Sequence, residues 1–462
     1  MKSISRRDAL RRLATVGVGL TAAACGASTG PATSGSTPAP AAGAPAAPST
    51  APITLRWDTS DATDVPVMLK MAEAGSKLFA EKFPNVLVKG EPPPEDSRQQ
   101  HLTQMIAGNA PDIIGQCCDT LPFWAEKGQL VKLDDFVQKD ISPAQIKDYT
   151  PAHWNAFANQ RVGRYAMPMY MGTIVLYYSK DAFDKAGVKY PDDTWAWTPD
   201  GSGSYEAALK KLSDPAKRQW GGQIGDGMDR VQSKIVGNGG NWVDPHSDVK
   251  AAFDQDAALA ALQWQYDRLW KDQSLINFAA LEKQSSDALI SSGRIAMFES
   301  GDWYLSGMVK TAADKIKWDI APVPKGPVAR NTLATTDGWA IWKGSKNPNE
   351  AWEFLKFLQS DEWNDIMITT GFLRPSRLSL FDSWEKKVKA AVPLLADKNL
   401  KAFGQATEFA TTLQLFRFHA DAQKVISDTR DTTFRKGPDV DVKAAWAAAA
   451  KQINDIEAKG SV

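Results

Sequence analysis

The sequence predicts an α/β fold, on three observations. Short apolar strand candidates alternate with helix-period segments from Ile53 onward. The strand candidates are β-branched and aromatic, as buried strands are. A chain of 462 residues exceeds what one core organises, so two lobes are expected. Hydrophobic content of 43% and charged content of 23% describe an ordinary globular chain.

The elements follow in order. ITLRW (53–57) is a short strand, and 64–83 carries Val67, Met71, Leu78 and Phe79 at helical spacing. PNVLVKG (84–90) is a second strand. In SRQQHLTQMIAGNAPDII, Leu102, Met105 and Ile106 share a helix face, Gly108 stops the helix, and Pro111-Asp112 leads into a strand. TIVLYY (173–178) reads as a buried strand, and Ser179-Lys180-Asp181 then starts a helix that ends at Gly187. A further helix is expected from near Trp195 to Leu212. NGGNWVD (238–244) is a Gly-rich loop, and 255–272 is amphipathic through Leu259, Leu262, Tyr266 and Leu269. In RIAMFESGDW (294–303), Met297 and Phe298 read as the buried end of a helix or strand, followed by a turn at Ser300-Gly301. KWDIAPVPKGP (317–327) is a strand that breaks at its prolines. TLATTDGWAIWKGS (332–345) reads as one strand with turn residues inside it. NPNEAWEFLKFLQS (347–360) has Asn347 as N-cap, Pro348 at the first helical position and Glu350 at the capping-box site. GFLRPSR (371–377) is a Pro-terminated loop, and the last 50 residues are Ala-rich and helical.

The N-terminus reads as an address. Residues 1–24 hold five cations (Lys2, Arg6, Arg7, Arg11, Arg12) and one Asp (Asp8), a charge of +4 on a chain that is neutral overall. Removing them leaves −4, which argues against a nucleic-acid partner. Basic residues, the apolar run from Leu13 to Ala24 and a small-residue end make a signal peptide, too short to span a bilayer. The Ser5-Arg6-Arg7 start resembles a twin-arginine signal, although the aromatic residue often seen two places later is Ala9. Ala-Ala-Ala-Cys resembles a lipobox with Cys25 as lipid anchor, although Ala22 stands where Leu is usual; ordinary cleavage nearby is the other reading. Residues 26–51 contain only Gly, Ala, Ser, Thr and Pro, a disordered tether with an end-to-end distance of roughly 30 Å. The expected location is therefore the outer face of the cytoplasmic membrane or the periplasm.

Taken in order, APDII (110–114), AEKGQLVKLDD (125–135), MPMYMGTIVLYYSKDAFDKAGV (167–188), RIAMFESGDW, APVPKGP, GSKNPNEAWEFLKFLQS and GFLRPS resemble the extracellular solute-binding proteins of ABC importers. The resemblance is to the sugar-binding group related to maltose-binding protein, and it covers roughly residues 53–455. It implies two discontinuous α/β lobes joined by a three-segment hinge, with the ligand in the cleft between them (the type II periplasmic-binding-protein arrangement). Carried over by segment, lobe 1 is 52–168 plus 321–358 and lobe 2 is 169–320 plus 359–462. The crossings fall near Pro168, Ala321 and Ser360. The implied function is capture of a mono- or oligosaccharide by a monomer, for delivery to a membrane permease, with no cofactor and no metal.

A sugar presents hydroxyls at its edges and C–H groups on its faces, so its site needs planar aromatics beside Asp, Glu, Asn or Arg. Trp303 sits where the family places a stacking aromatic, with core packing as the alternative. Asp302 is a hydroxyl acceptor or a helix cap. Asp119 matches a family position that bonds sugar hydroxyls, and also suits an N-cap. Tyr170 and Gly172 lie at the first crossing, where maltose-binding protein has an acidic residue, so contacts there should differ. Trp242 follows the glycines of NGGNW as a second platform or as packing. Gly338 and Trp339 interrupt a strand near the cleft. Arg374 reaches a hydroxyl or forms a salt bridge, and Asp58 ends the first strand. Trp57, Trp342 and Trp352 are expected in the core.

Other classes fare worse. The four His (His101, His153, His246, His419) share no metal spacing, and neither H-E-x-x-H nor G-x-S-x-G occurs. GGQIGDG (221–227) lacks the Lys-Ser/Thr ending of a phosphate loop. Paired carboxylates in a sugar cleft leave a glycosidase as the enzyme alternative. A receptor for glycerol phosphate, a polyamine or iron is the other binding alternative. DGSGSYE (200–206) hints at a calcium loop but has the wrong spacing for an EF-hand. Cys117 and Cys118 are adjacent, a poor arrangement for an ordinary structural disulfide.

Overall fold

A computed structural model describes residues 52–460 apart from 61–63, 160, 248–249, 313–314 and 417–418. The signal-like segment, Cys25 and the tether lie outside the described residues.

Fourteen strands are described. The first sheet runs β2-β1-β3-β13-β6. Its members are β1 (Ile53–Asp58), β2 (Val86–Glu91), β3 (Ile113–Cys117), β6 (Met167–Pro168) and β13 (Asp337–Ile341). β1 pairs in parallel with β2 and β3, whereas β13 runs antiparallel to β3 and β6. The second sheet runs β11-β8-β10-β9: β8 (Val175–Ser179), β9 (Trp220–Gln223), β10 (Ile295–Ser300) and β11 (Trp318–Ala321). A small sheet joins β7 (Gly172–Thr173), β12 (Thr332–Thr335) and β14 (Ala410–Thr411). A short hairpin pairs β4 (Ala158–Asn159) with β5 (Gly163–Arg164).

The chain passes between the two main sheets three times. It leaves β6, enters the small sheet as β7, and one residue later begins β8. It returns from β11 through β12 to β13. The third pass runs from the helix Asp361–Ile366, whose Trp363 packs on Trp57, to the helix Phe381–Ala391, whose Trp384 meets Phe403. The fold is two discontinuous α/β lobes.

Local chemistry explains the elements. β8 is buried on both faces, which suits its Val-Leu-Tyr-Tyr run. The helix Val65–Lys82 buries Met68, Met71, Ala72, Gly75 and Phe79, one stripe at helical spacing. The helix Ser97–Ala107 ends at Gly108, whose φ of 79° is left-handed. Ser179 caps the helix Lys180–Ala186 by accepting the Ala182 N–H. Trp57 anchors the first core, 5.2 Å edge-on from Trp339 and 5.5 Å from Trp363. Trp57, Trp342 and Trp352 are buried, as expected.

Several expectations need correction. The helix placed at 195–212 covers only Ser204–Lys211, because Trp195 and Trp197 exchange backbone hydrogen bonds with Lys325 instead. The 332–345 segment is two strands in two sheets, broken at Thr336. Asn347 precedes the helix Pro348–Phe357 without a side-chain cap bond. Met297 and Phe298, by contrast, lie in a strand, one of the two elements expected. Residues 325–329, assigned to lobe 1, lie against Trp195, Trp197 and Gly237 beside the second sheet. Trp363 and Met367, assigned to lobe 2, are buried in the core of the first. Asp200 is occupied by Thr198 and Ser202 hydroxyls, as a turn residue is.

Candidate functional site

Between the two sheets lies a cavity of about 460 Å³. Its wall holds Asp119, Tyr170 and Trp303, three residues expected at a ligand site. A second cavity of about 500 Å³ shares Cys118 and Leu413 with it. A third, of about 420 Å³, shares Arg98, Asp119, Gln423 and Ser427. The second and third cavities each adjoin the first through these shared residues.

Trp303 stands in a 3₁₀ turn directly after β10 and is half-buried. Gly301 makes its position possible: a Cβ there would fall 2.0 Å from the Trp303 ring. Gly172 serves the same ring, since a Cβ would lie 2.9 Å from it and 2.1 Å from the Thr335 carbonyl. Gly172 therefore shapes the wall through its missing side chain. The Tyr170 ring meets Trp303 edge-on at 6.1 Å. Burial, with Asp337 nearby, pushes the Tyr170 phenol well above its ordinary range, so it stays protonated. The guanidinium of Arg230 lies 5.7 Å from the Trp303 ring centre and donates to Ser300 Oγ at 3.3 Å.

Asp119 follows the end of β3. Arg98 donates to both its oxygens, at 2.9 and 2.7 Å, and the Thr120 hydroxyl donates at 3.0 Å. Arg230 pairs with Asp229 at the start of the helix Met228–Gly237. Asp337 takes the Ser60 hydroxyl at 2.6 Å. The charged residues around the cavity are Arg98, Arg230 and Arg430 against Asp119, Asp229 and Asp337, so the wall is balanced. Carboxylates and guanidiniums beside an aromatic face offer acceptors, donors and a plane to one small ligand.

The other expected residues lie elsewhere. Asp58 is buried behind the wall: Oδ1 accepts the Ser60 N–H at 2.8 Å, and Oδ2 lies 2.6 Å from His101 Nε2. It supports Ser60, which in turn holds Asp337. Asp302 is fully buried and accepts the Arg374 N–H at 2.6 Å. Burial pushes its carboxyl up to about 6, against the opposing pull of Arg374. Arg374 is itself buried, donating to the Met171 carbonyl at 3.0 and 2.8 Å and to that of Phe403. It clasps two passes of the chain rather than lining the cavity. Trp242 packs on Phe253 at 4.4 Å and on Trp446 at 5.7 Å, in the second core. Trp339 lies in the first core, and Gly338 leaves room for the Phe157 ring.

Sequence reasoning missed Arg98, Asp229, Arg230, Asp337 and Arg430. The signal for Asp229 and Arg230 was present. They follow Gly227, the last glycine of a loop dismissed as a failed phosphate site, which opens a helix onto the cavity. Asp337 was hidden by reading two strands as one. Arg430 comes from the C-terminal helices and has no local mark.

Three comparisons bear on this geometry. The arabinooligosaccharide-binding protein of Bacillus subtilis is 26% identical over 275 residues, 57% of this chain and 61% of that one. An ABC substrate-binding protein from Listeria monocytogenes, solved in complex with cycloalternan, superposes with a TM-score of 0.75 at 22% identity, covering 87% of this chain and 98% of the other. UgpB from Mycobacterium tuberculosis, in complex with glycerophosphocholine, superposes with a TM-score of 0.72 at 19% identity, covering 88% and 98%. Residues 60–365, which include Asp119, Tyr170, Arg230, Trp303 and Asp337, match a family profile along most of the described fold. The chain belongs to the bacterial extracellular solute-binding proteins.

Proposed function

We propose that the chain captures an uncharged carbohydrate in the cavity around Trp303 and delivers it to the membrane permease of an ABC importer. The observation that carries this reading is the wall itself: an aromatic plane ringed by three Arg and three Asp. A neutral ligand rich in hydroxyls satisfies such groups without leaving a net charge buried. A polyamine would call for surplus carboxylates, and a phosphate for surplus cations. The arabinooligosaccharide-binding relative supports the same class. Closure of the two lobes about the three passes would bury the ligand. Export behind the twin-arginine-like signal and anchoring through Cys25 complete the reading, with the tether holding a monomer near the membrane. The protein acts by binding and returns its ligand intact.

A glycerol-phosphate-type ligand is the second reading. It is favoured by the glycerophosphocholine complex of a similar fold and by the helix Met228–Gly237, whose N-terminus faces the cavity. The balanced charge of the wall favours the sugar. A thermal-shift screen of mono- and oligosaccharides, glycerophosphodiesters and polyamines, followed by calorimetry, separates them. A carbohydrate that raises the unfolding midpoint and is recovered unchanged supports the proposal. Stabilisation by a glycerophosphodiester alone overturns it.

A further inference from the structure

Cys117 and Cys118 both border the ligand cavity, and Cys118 also borders the adjoining one. Neighbours in a strand point to opposite faces. Here β3 ends at Cys117 and the chain turns, so the two sulfurs sit 3.8 Å apart, one thiol hydrogen-bonded to the other. Asp119 follows directly. Among the described residues these are the two cysteines, so each has the other as its nearest thiol.

The backbone at this pair is tied to the passes between the lobes. The Cys118 N–H donates to the Thr336 carbonyl at 3.0 Å. Thr336 separates β12 from β13, and its hydroxyl donates to the Tyr170 carbonyl. Cys117 faces Asp337 in the antiparallel ladder. Any change in the peptide between the two cysteines therefore reaches Asp119, Asp337 and Tyr170, three parts of the cavity wall.

We propose that Cys117 and Cys118 form a modification site within the ligand cavity, which a small-molecule disulfide oxidises to a disulfide between neighbours, reshaping the wall that carries Asp119. The chemistry balances as two exchanges. The thiolate of one cysteine attacks the external disulfide, forming a mixed disulfide and releasing one thiol. The second cysteine's thiolate then attacks that mixed disulfide, forming the internal S–S bond and releasing the second thiol. Two protein thiols are oxidised and one external disulfide is reduced to two thiols.

Geometry explains why closure is felt. Neighbouring Cα atoms lie about 3.8 Å apart, short of the about 4.4–6.8 Å that relaxed disulfides span. The peptide joining the cysteines must therefore distort, and its N–H is the one bonded to Thr336. A ring closed under strain is also readily reopened by thiols. The hydrogen bond to Cys118, burial, and Asp119 and Asp337 hold the Cys117 thiol well above its ordinary range, so exchange is slow and the oxidant is needed in excess.

The test equilibrates the full chain in buffers of rising oxidised-to-reduced glutathione ratio, quenches with acid and maps the peptides. The tryptic peptide 99–127 holds both cysteines and no other. The expected result is loss of two hydrogens from that peptide, reversed by dithiothreitol. Hydrogen exchange should rise at least fivefold at the Cys118 amide in the oxidised protein and not in Cys117→Ser or Cys118→Ser treated alike. Stable glutathione adducts alone, or an unmodified peptide across the series, would overturn the site. A closed ring with unchanged exchange would overturn its effect on the wall. Neither readout uses a ligand, so both stand if the carbohydrate reading fails. If that reading holds, oxidation should weaken sugar binding at least fivefold, and unchanged affinity would contradict the proposal.

Discussion

Two stretches of this chain look alike and do opposite things. GGNWV (239–243) and SGDWY (300–304) each place a tryptophan just after glycine. Trp242 is covered by Phe253 and by Trp446 of the C-terminal helix Val442–Lys459, and its backbone N–H donates to Gln414 Oε1 at 2.7 Å. Trp303 follows a sheet strand at the edge of the cavity, with Tyr170 and Arg230 beside it. Local sequence does not separate the two. What separates them is the partner that arrives from far along the chain: a helix some 200 residues later covers one, and a cavity faces the other.

The contrast can be broken by mutation. The largest effect is expected at the covered tryptophan. Trp242→Ala should destabilise the fold by about 3–5 kcal/mol, read from urea unfolding, because it leaves a cavity between Phe253 and Trp446. The folded fraction should keep its ligand affinity. A small loss of stability would mean that Trp242 is not core.

Asp302 sharpens the comparison from the residue beside Trp303. Its folded carboxyl titrates near 6, above the ordinary value of 3.8. The protonated form thus favours the folded state. Its contribution to stability is fully present below about pH 4 and is lost as pH rises through 6. The loss is about 3 kcal/mol from the size of the shift. Asp302→Asn should flatten that part of the stability-pH curve, measured by urea midpoints at pH 4 to 7. An unaltered slope would assign the titration to another group.

Trp303→Ala comes next, with an expected loss of about 2 kcal/mol in ligand binding, roughly 30-fold, and an unfolding midpoint near that of the wild type. The smallest effect belongs to Arg98→Ala. Its pair with Asp119 is half-exposed on the arginine side, so stability should change by less than about 1 kcal/mol. Binding should weaken more than stability does, because Asp119 loses the group that orients it. Equal losses in both would make the pair structural.

Much of the fold was legible because its signals are local. β-branched and aromatic runs gave β1, β3 and β8, Gly108 and Gly187 ended helices as left-handed caps, and Ser179 began one. The order of segments placed Asp119, Tyr170, Gly172 and Trp303 together. What stayed hidden was non-local. One residue, Thr336, splits an apparent strand between two sheets, and that moved Asp337 into the site. Asp302 and Arg374 carry side chains suited to sugars, yet the Asp302 carboxylate accepts the Arg374 backbone N–H, and the Arg374 guanidinium donates to the backbone carbonyls of Met171 and Phe403. A charged residue's partner cannot be read from spacing when it lies about 70 or 200 residues away.

The central claim is that an uncharged sugar stacks on Trp303 in a charge-balanced cavity. Calorimetric titration of the wild type and Trp303→Ala, side by side, with a carbohydrate found by thermal shift tests it most directly. Saturable binding to the wild type is expected, with at least tenfold weaker binding to a variant that unfolds at the same midpoint. Wild-type affinity in the variant, or no carbohydrate binding where a glycerophosphodiester binds, would contradict it.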